Sequence, residues 1–194
     1  MKFVFCEGRD DLAVITGVAD SIGLADLRVE HIDGKDKLRN FLKDVQTRPE
    51  FSRNMVAAFG IVRDADKNGA AAFQSVRDAL LASGFKAPDK NGGFAVNGIK
   101  IGVLIVGPNG GQGMIKDLCL NSVSNEPEFP CVDDYFRCIA QRCARKDFSS
   151  KARIRVWMAS HVDYGLHVGL AAEKGYWPWD SPVFHAMKEF LRQL

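Results

Sequence analysis

The octet MVAAFGIV at 55–62 is the segment that most constrains what this chain can fold into. A continuous apolar run of strand length needs cover on both sides, which is the position of a central strand in a parallel sheet. The preceding sequence supplies partners for it. KFVFC (2–6) is a shorter apolar run that ends at Glu7-Gly8. Residues 10–22 place Leu12, Ile15, Val18, Ala19 and Ile22 at helical spacing, and Gly23 suits the C-cap. Residues 27–32 alternate as a second strand closing in Asp33-Gly34, and 35–45 carry Leu38, Phe41, Leu42 and Val45 as an amphipathic helix. A polar break over 63–69 leads into the helix AAAFQSVRDALLASG, and Asn97-Gly98 between 94–96 and 99–106 signals a hairpin. Right-handed crossovers join units in this β-α-β-α-β order. The expected class is α/β, a mainly parallel sheet with helices on both faces and one antiparallel addition.

Composition changes after about residue 107. GPNGGQG (107–113) reads as a flexible loop, and helices are expected at 113–122, 131–144, 151–160, 167–174 and 182–193. Periodicity leaves RIRVWMA (153–159) open between strand and helix, and its flanks favour helix. At 194 residues the chain suits one domain, with an α/β core at 1–107 and a helical extension at 108–194 packed on it. The 46% apolar content argues against extended disorder, and a net charge of +2 neither demands nor excludes nucleic acid. No apolar run approaches the roughly 20 residues of a membrane span. With no signal-peptide pattern before the first strand, the expectation is a cytoplasmic protein with no membrane partner. Five cysteines without a CxxC pair read as buried free thiols.

Acids close the first three strands: Glu7, then Asp33, then Asp64 with Asp66. Ligands of open parallel sheets bind beyond the carboxyl ends of the strands. Residues two apart at a strand end point the same way, so the two aspartates of Asp64-Ala65-Asp66 are expected to face one ion. Carboxylates so close together repel unless a hard cation lies between them. The competing reading makes the DxD a turn and helix cap.

The motif Glu7-Gly8-Arg9-Asp10-Asp11 resembles the EGxxD signature of Toprim domains, and Asp64-Ala65-Asp66 resembles their DxD, in the same order and with one βα unit between. The likeness covers about 1–107 and implies a Toprim-like Rossmannoid core. The tail, with GMIKDLCL (113–120) and VGLAAEKGYWPWDSPVF (168–184), is similar to a small Toprim-containing family related to the OLD-type nucleases. The resemblance implies Glu7, Asp64 and Asp66 as catalytic residues. It implies Mg²⁺ or Mn²⁺ held among Glu7, Asp11, Asp64, Asp66 and Asp117. It further implies metal-dependent phosphoryl transfer on nucleic acid, by a nuclease of the Toprim type. One departure stands out: Lys116 precedes Asp117 where that family carries an acid. The alternative is therefore a degenerate Toprim module that binds metal, nucleic acid or a protein without turnover. A phosphatase of small phosphoesters is a weaker third reading. OLD-type proteins work with an ATPase, which points to a separate ATPase subunit as a partner here. A homo-oligomer is compatible with the sequence.

GPNGGQG begins like a phosphate loop but lacks its lysine and hydroxyl residue, so no nucleotide is expected there. Residues 137–155 carry Arg137, Arg142, Arg145, Lys146, Lys151, Arg153 and Arg155 against Asp147 alone. That stretch reads either as a solvated helix face or as a phosphate-tracking surface. Trp157, Trp177 and Trp179 are expected to be core or interface anchors, and His161, His167 and His185 receive no role.

Overall fold

The computed structural model describes residues 1–107, 111–143, 147–161 and 165–194, together with all their side chains except that of Lys35. The strands are β1 (Lys2–Cys6), β2 (Leu27–His31), β3 (Ala58–Asp64), β4 (Phe94–Asn97) and β5 (Ile99–Val106). They form one sheet in the order β2-β1-β3-β5-β4. β1 pairs in parallel with β2 and β3, β3 with β5, and only the β4–β5 hairpin is antiparallel. The mixed α/β class with a mostly parallel sheet is as expected.

Helices α1 (Arg9–Ser21), α2 (Leu38–Thr47), α3 (Pro49–Ser52) and α4 (Gly69–Ala82) belong to the alternating part. Helices α5 (Ile115–Ser122), α6 (Phe129–Arg142), α7 (Ser150–Ala159), α8 (Val168–Glu173) and α9 (His185–Gln193) make up the tail. Period-two alternation in the strands divides the core between two faces. Phe3, Phe5, Phe59, Ile61, Ile101, Val103 and Ile105 meet α2–α4 on one side. Val4, Cys6, Val62, Leu104 and Val106 meet α1 and the tail helices on the other. Gly60 and Gly102 are opposite each other in the β3–β5 register, beneath Phe190 of α9. A Cβ on Gly102 would lie 2.7 Å from the Phe190 ring, so the small residues make room for the terminal helix.

Several boundaries differ from the sequence reading. β3 starts at Ala58, not Met55, because Met55 is exposed and its carbonyl is tied to the N-terminal amine. The strand also runs on to take in Asp64. A 3₁₀ turn at Lys35–Lys37 precedes α2, and Pro49 opens the unexpected short helix α3. RIRVWMA is helical, started by Ser149, whose hydroxyl accepts from the Ala152 N–H at 3.3 Å. Only Cys6 and Cys119 are buried. Cys131, Cys138 and Cys143 are exposed, because α6 turns only Val132 and Phe136 fully inward. No described helix is long and apolar enough to cross a membrane.

Candidate functional site

The chain reverses direction across the sheet between β1 and β3. The β1-α1-β2 crossover steps one way, and the return through α2 and α3 places β3 on the other side of β1. Such a switch point opens a crevice at the carboxyl ends of the two strands. Glu7 follows β1 there, and Asp64 ends β3. The register that pairs Phe5 with Ile61 carries Glu7 next to Arg63, and Arg63 Nε lies 3.0 Å from Glu7 Oε1. Both atoms are buried and held by charge, without the alignment of a hydrogen bond. Arg63 also donates to Ser75 Oγ at 3.1 Å.

Two helices begin at this edge with the same device. Asp11, the third residue of α1, accepts from the Gly8 N–H at 3.0 Å, and Asp117, the third of α5, accepts from the Met114 N–H at 2.7 Å. Both acids thus stand at the N3 position and reach back to the N-cap backbone N–H, the acidic half of a capping box, which satisfies an otherwise orphaned donor. Asp117 keeps its Oδ1 buried with no hydrogen-bond partner among the described residues. Asp64 Oδ1 accepts from the Ile115 N–H at 2.8 Å, at the start of α5. Burial, then the charge of Asp11, with Glu7 and Asp66 adding, pushes the Asp64 carboxyl up to about 8 despite the Ile115 bond. Burial likewise raises Asp11, against the Gly8 bond and the nearby Lys116 charge.

An open cleft of about 570 Å³ collects Glu7, Asp10, Asp11 and Asp64 with Lys116, Lys151 and His167 along its walls. Asp66 is turned aside. Its backbone is left-handed at φ 50°, bridged to Gly113, and it lines the neighbouring recess with Lys67 and Asn68. Strand alternation therefore stops at Asp64 and does not bring the DxD pair to one side, although Asp66 is close enough to act on the Asp64 charge. Asp33, also left-handed, pairs with His31 and stays outside the cleft. Among the described residues no group of three His, Cys, Asp or Glu side chains surrounds one point closely enough to hold an ion. The chemistry of the donor set nevertheless fits a hard divalent cation. Asp64 is raised by burial and by the charges of Asp11, Glu7 and Asp66, and Asp117 on α5 keeps a buried oxygen without a hydrogen-bond partner, so a cation at Asp64 would meet a set of hard oxygen donors.

Sequence reasoning passed over Asp10, Lys116 and His167 as a unit. Asp10 Oδ2 lies 2.7 Å from Lys116 Nζ, and its Oδ1 lies 2.9 Å from His167 Nδ1 while accepting from the Gly169 N–H at 3.0 Å. Burial raises the Asp10 carboxyl, but Lys116, Gly169 and His167 together outweigh it and hold the group below its ordinary range. Gly169 has no room for a side chain, since a Cβ there would lie 3.0 Å from Asp10 Oδ1. The doubled acid Asp10-Asp11 was the available signal: one residue caps α1 while the other ties it to α5 and α8. Trp157 and Trp177 are buried and stacked at 5.2 Å, as core anchors. Residues 111–113 of the glycine loop are fastened to the DxD turn, with Gly69 N–H donating to Gly111 O at 2.8 Å. Positions 108–110 of that loop, and Arg145 and Lys146 of the basic stretch, lie outside the described residues.

Among solved structures, a hypothetical protein from Pyrococcus horikoshii OT3 shares 15% identity with a TM-score of 0.68, covering 99% of this chain and 92% of that one. That likeness is one of fold. The C-terminal region of the Xanthomonas campestris pv. campestris OLD protein is a weaker neighbour, at 11% identity and TM-score 0.47, covering 99% and 94%. No curated protein matches the chain. The family profile described as protein of unknown function (DUF3226) matches residues 1–194. The chain belongs to the DUF3226 family.

Proposed function

We propose that the carboxyl edge of the sheet is a divalent-metal site for phosphoryl transfer on nucleic acid, with phosphodiester cleavage as its reaction. The observation that carries this reading is the meeting of Glu7 and Asp64 at the switch point, between the N-termini of α1 and α5. The EGxxD and DxD motifs, in the order found in Toprim domains and OLD-type nucleases, support it independently. In this reading Asp64 is the central ligand of Mg²⁺ or Mn²⁺, with Glu7 and Asp66 beside it and Asp11 and Asp117 adding negative charge from their caps. When bound, the ion supplies charge neutralisation at the phosphate and at its leaving oxygen. Glu7 carries a proton to or from the reacting oxygen. Arg63, released when Glu7 turns away from it, takes a phosphate oxygen.

A second reading has its own observation. Lys116 neutralises Asp10, and Arg63 neutralises Glu7, so side-chain cations occupy two of the acids. That arrangement suits a Toprim-like module that binds without turnover. Cleavage of plasmid and oligonucleotide in Mg²⁺ or Mn²⁺, set against Asp64→Ala, separates the two. The nuclease reading expects cleavage lost in the variant. Equal cleavage by both proteins refutes the site, and salt-sensitive binding with no cleavage by either favours the binding module.

A further inference from the structure

The cleft continues past Asp10 and Lys116 into a smaller recess of about 100 Å³, floored by buried Ile154 and Met158 of α7. Lys151 and Arg155 stand on its wall, one helical turn apart on the same face of α7, with Lys116 and His167 opposite. Two other cations of the basic stretch are already paired. Arg137 is paired with Asp134, and Arg153 with Asp133 while lying over the Phe136 ring. Among the described residues, no acid lies within ion-pair distance of Lys151 or Arg155. Lys116 and His167 share the single carboxylate Asp10. Like charges four apart on a helix repel, and converging three of them on one recess costs stability unless an anion joins them.

From this geometry we infer that the α7 recess is a phosphate subsite, built by Lys151 and Arg155 with Lys116 and His167, that holds a nucleic-acid strand one or more nucleotides from the carboxylate edge. The inference rests on the phosphoryl-transfer reading for its direction, and it adds the place where the substrate strand is held. A site that takes a second phosphate selects a polynucleotide over a small phosphoester. The cations line a concavity continuous with the acidic cleft, which suits a strand passing through and fits a flat lipid surface poorly.

The test is equilibrium binding of a labelled single-stranded oligonucleotide in EDTA, which reads the subsite without turnover. The full chain is compared with K151A/R155A and with the charge-matched control K43A/K90A, whose lysines are exposed and lie outside the cleft. For single strands, each lost phosphate contact lowers the slope of log affinity against log salt by about 0.7. The expected result is a slope reduced by about 1.4 in K151A/R155A and unchanged in the control. A Lys151→Glu variant is expected to weaken binding further, and both cleft residues are exposed, so folding is retained. Equal slopes for K151A/R155A and K43A/K90A overturn the subsite, as does tighter binding to anionic phospholipid vesicles than to the oligonucleotide. An intact slope difference in a protein that never cleaves with Mn²⁺ leaves the subsite standing and refutes the nuclease reading instead.

Discussion

The faces of the sheet and its carboxyl edge follow opposite rules. On the faces, apolar side chains alternate into two cores, and even the glycines are matched to a ring that lies over them. At the edge, four acids share one cleft, and the charge of Asp64 is penalised by burial and then by its neighbours Asp11 and Glu7. Burial stabilises in the first region and strains in the second. Stability and chemistry are therefore separable here, and substitutions in the two regions should have opposite signatures.

The sharpest case is Asp64→Asn. It keeps an oxygen for the Ile115 N–H but removes the charge. Cleavage should fall by about a hundredfold or more, while the metal-free melting temperature at pH 8 should rise. A variant that loses both activity and stability would break the contrast. On the faces, Gly102→Val drives a side chain into Phe190 and Phe94 and should cost about 1–3 kcal/mol by urea denaturation. Cleavage by the folded fraction should be unaffected.

The pH dependence of the metal-free protein follows from the same contrast. Asp64 has a folded-state value raised to about 8, so its neutral form is the one the fold favours. The stability linked to it is full in acid and is lost as pH rises through about 8. Asp10, held low, works the other way: its contribution is present above the ordinary aspartate range and lost as pH falls through its folded value. The melting temperature of the wild type should therefore fall between the ordinary aspartate value of 3.8 and about 8 and level off above that, and Asp64→Asn should lose this slope. Adding Mn²⁺ should raise the melting temperature more at pH 8 than at pH 6, because it binds the ionised carboxylate. The smallest effect concerns the caps. Asp117→Ala should destabilise by about 1 kcal/mol, and Asp117→Asn, which still accepts from Met114 N–H, by less. Thermal melts check both.

Much of this was legible in the chain because it depends on local pattern. Apolar periodicity marks the strands and helices, and the strand-end acids mark the edge. The positions that were not legible depend on backbone turns and on contacts across long separations. Asp66 leaves its expected side because the chain turns left-handed right after β3, which no alternation rule anticipates. Asp10 meets His167 and Gly169 across more than a hundred and fifty residues, so only the folded tail could reveal that it joins α1 to α8. The apolar run overshoots the start of β3 at Met55, whose side chain is exposed while its carbonyl meets the N-terminal amine.

A crystal soaked in Mn²⁺, with anomalous scattering used to locate the ion, bears most directly on the central claim. The expected result is an ion bound to Asp64, with Glu7 turned away from Arg63 to join it. An ion bound elsewhere, or none at Asp64 with Glu7 still paired to Arg63, would contradict it.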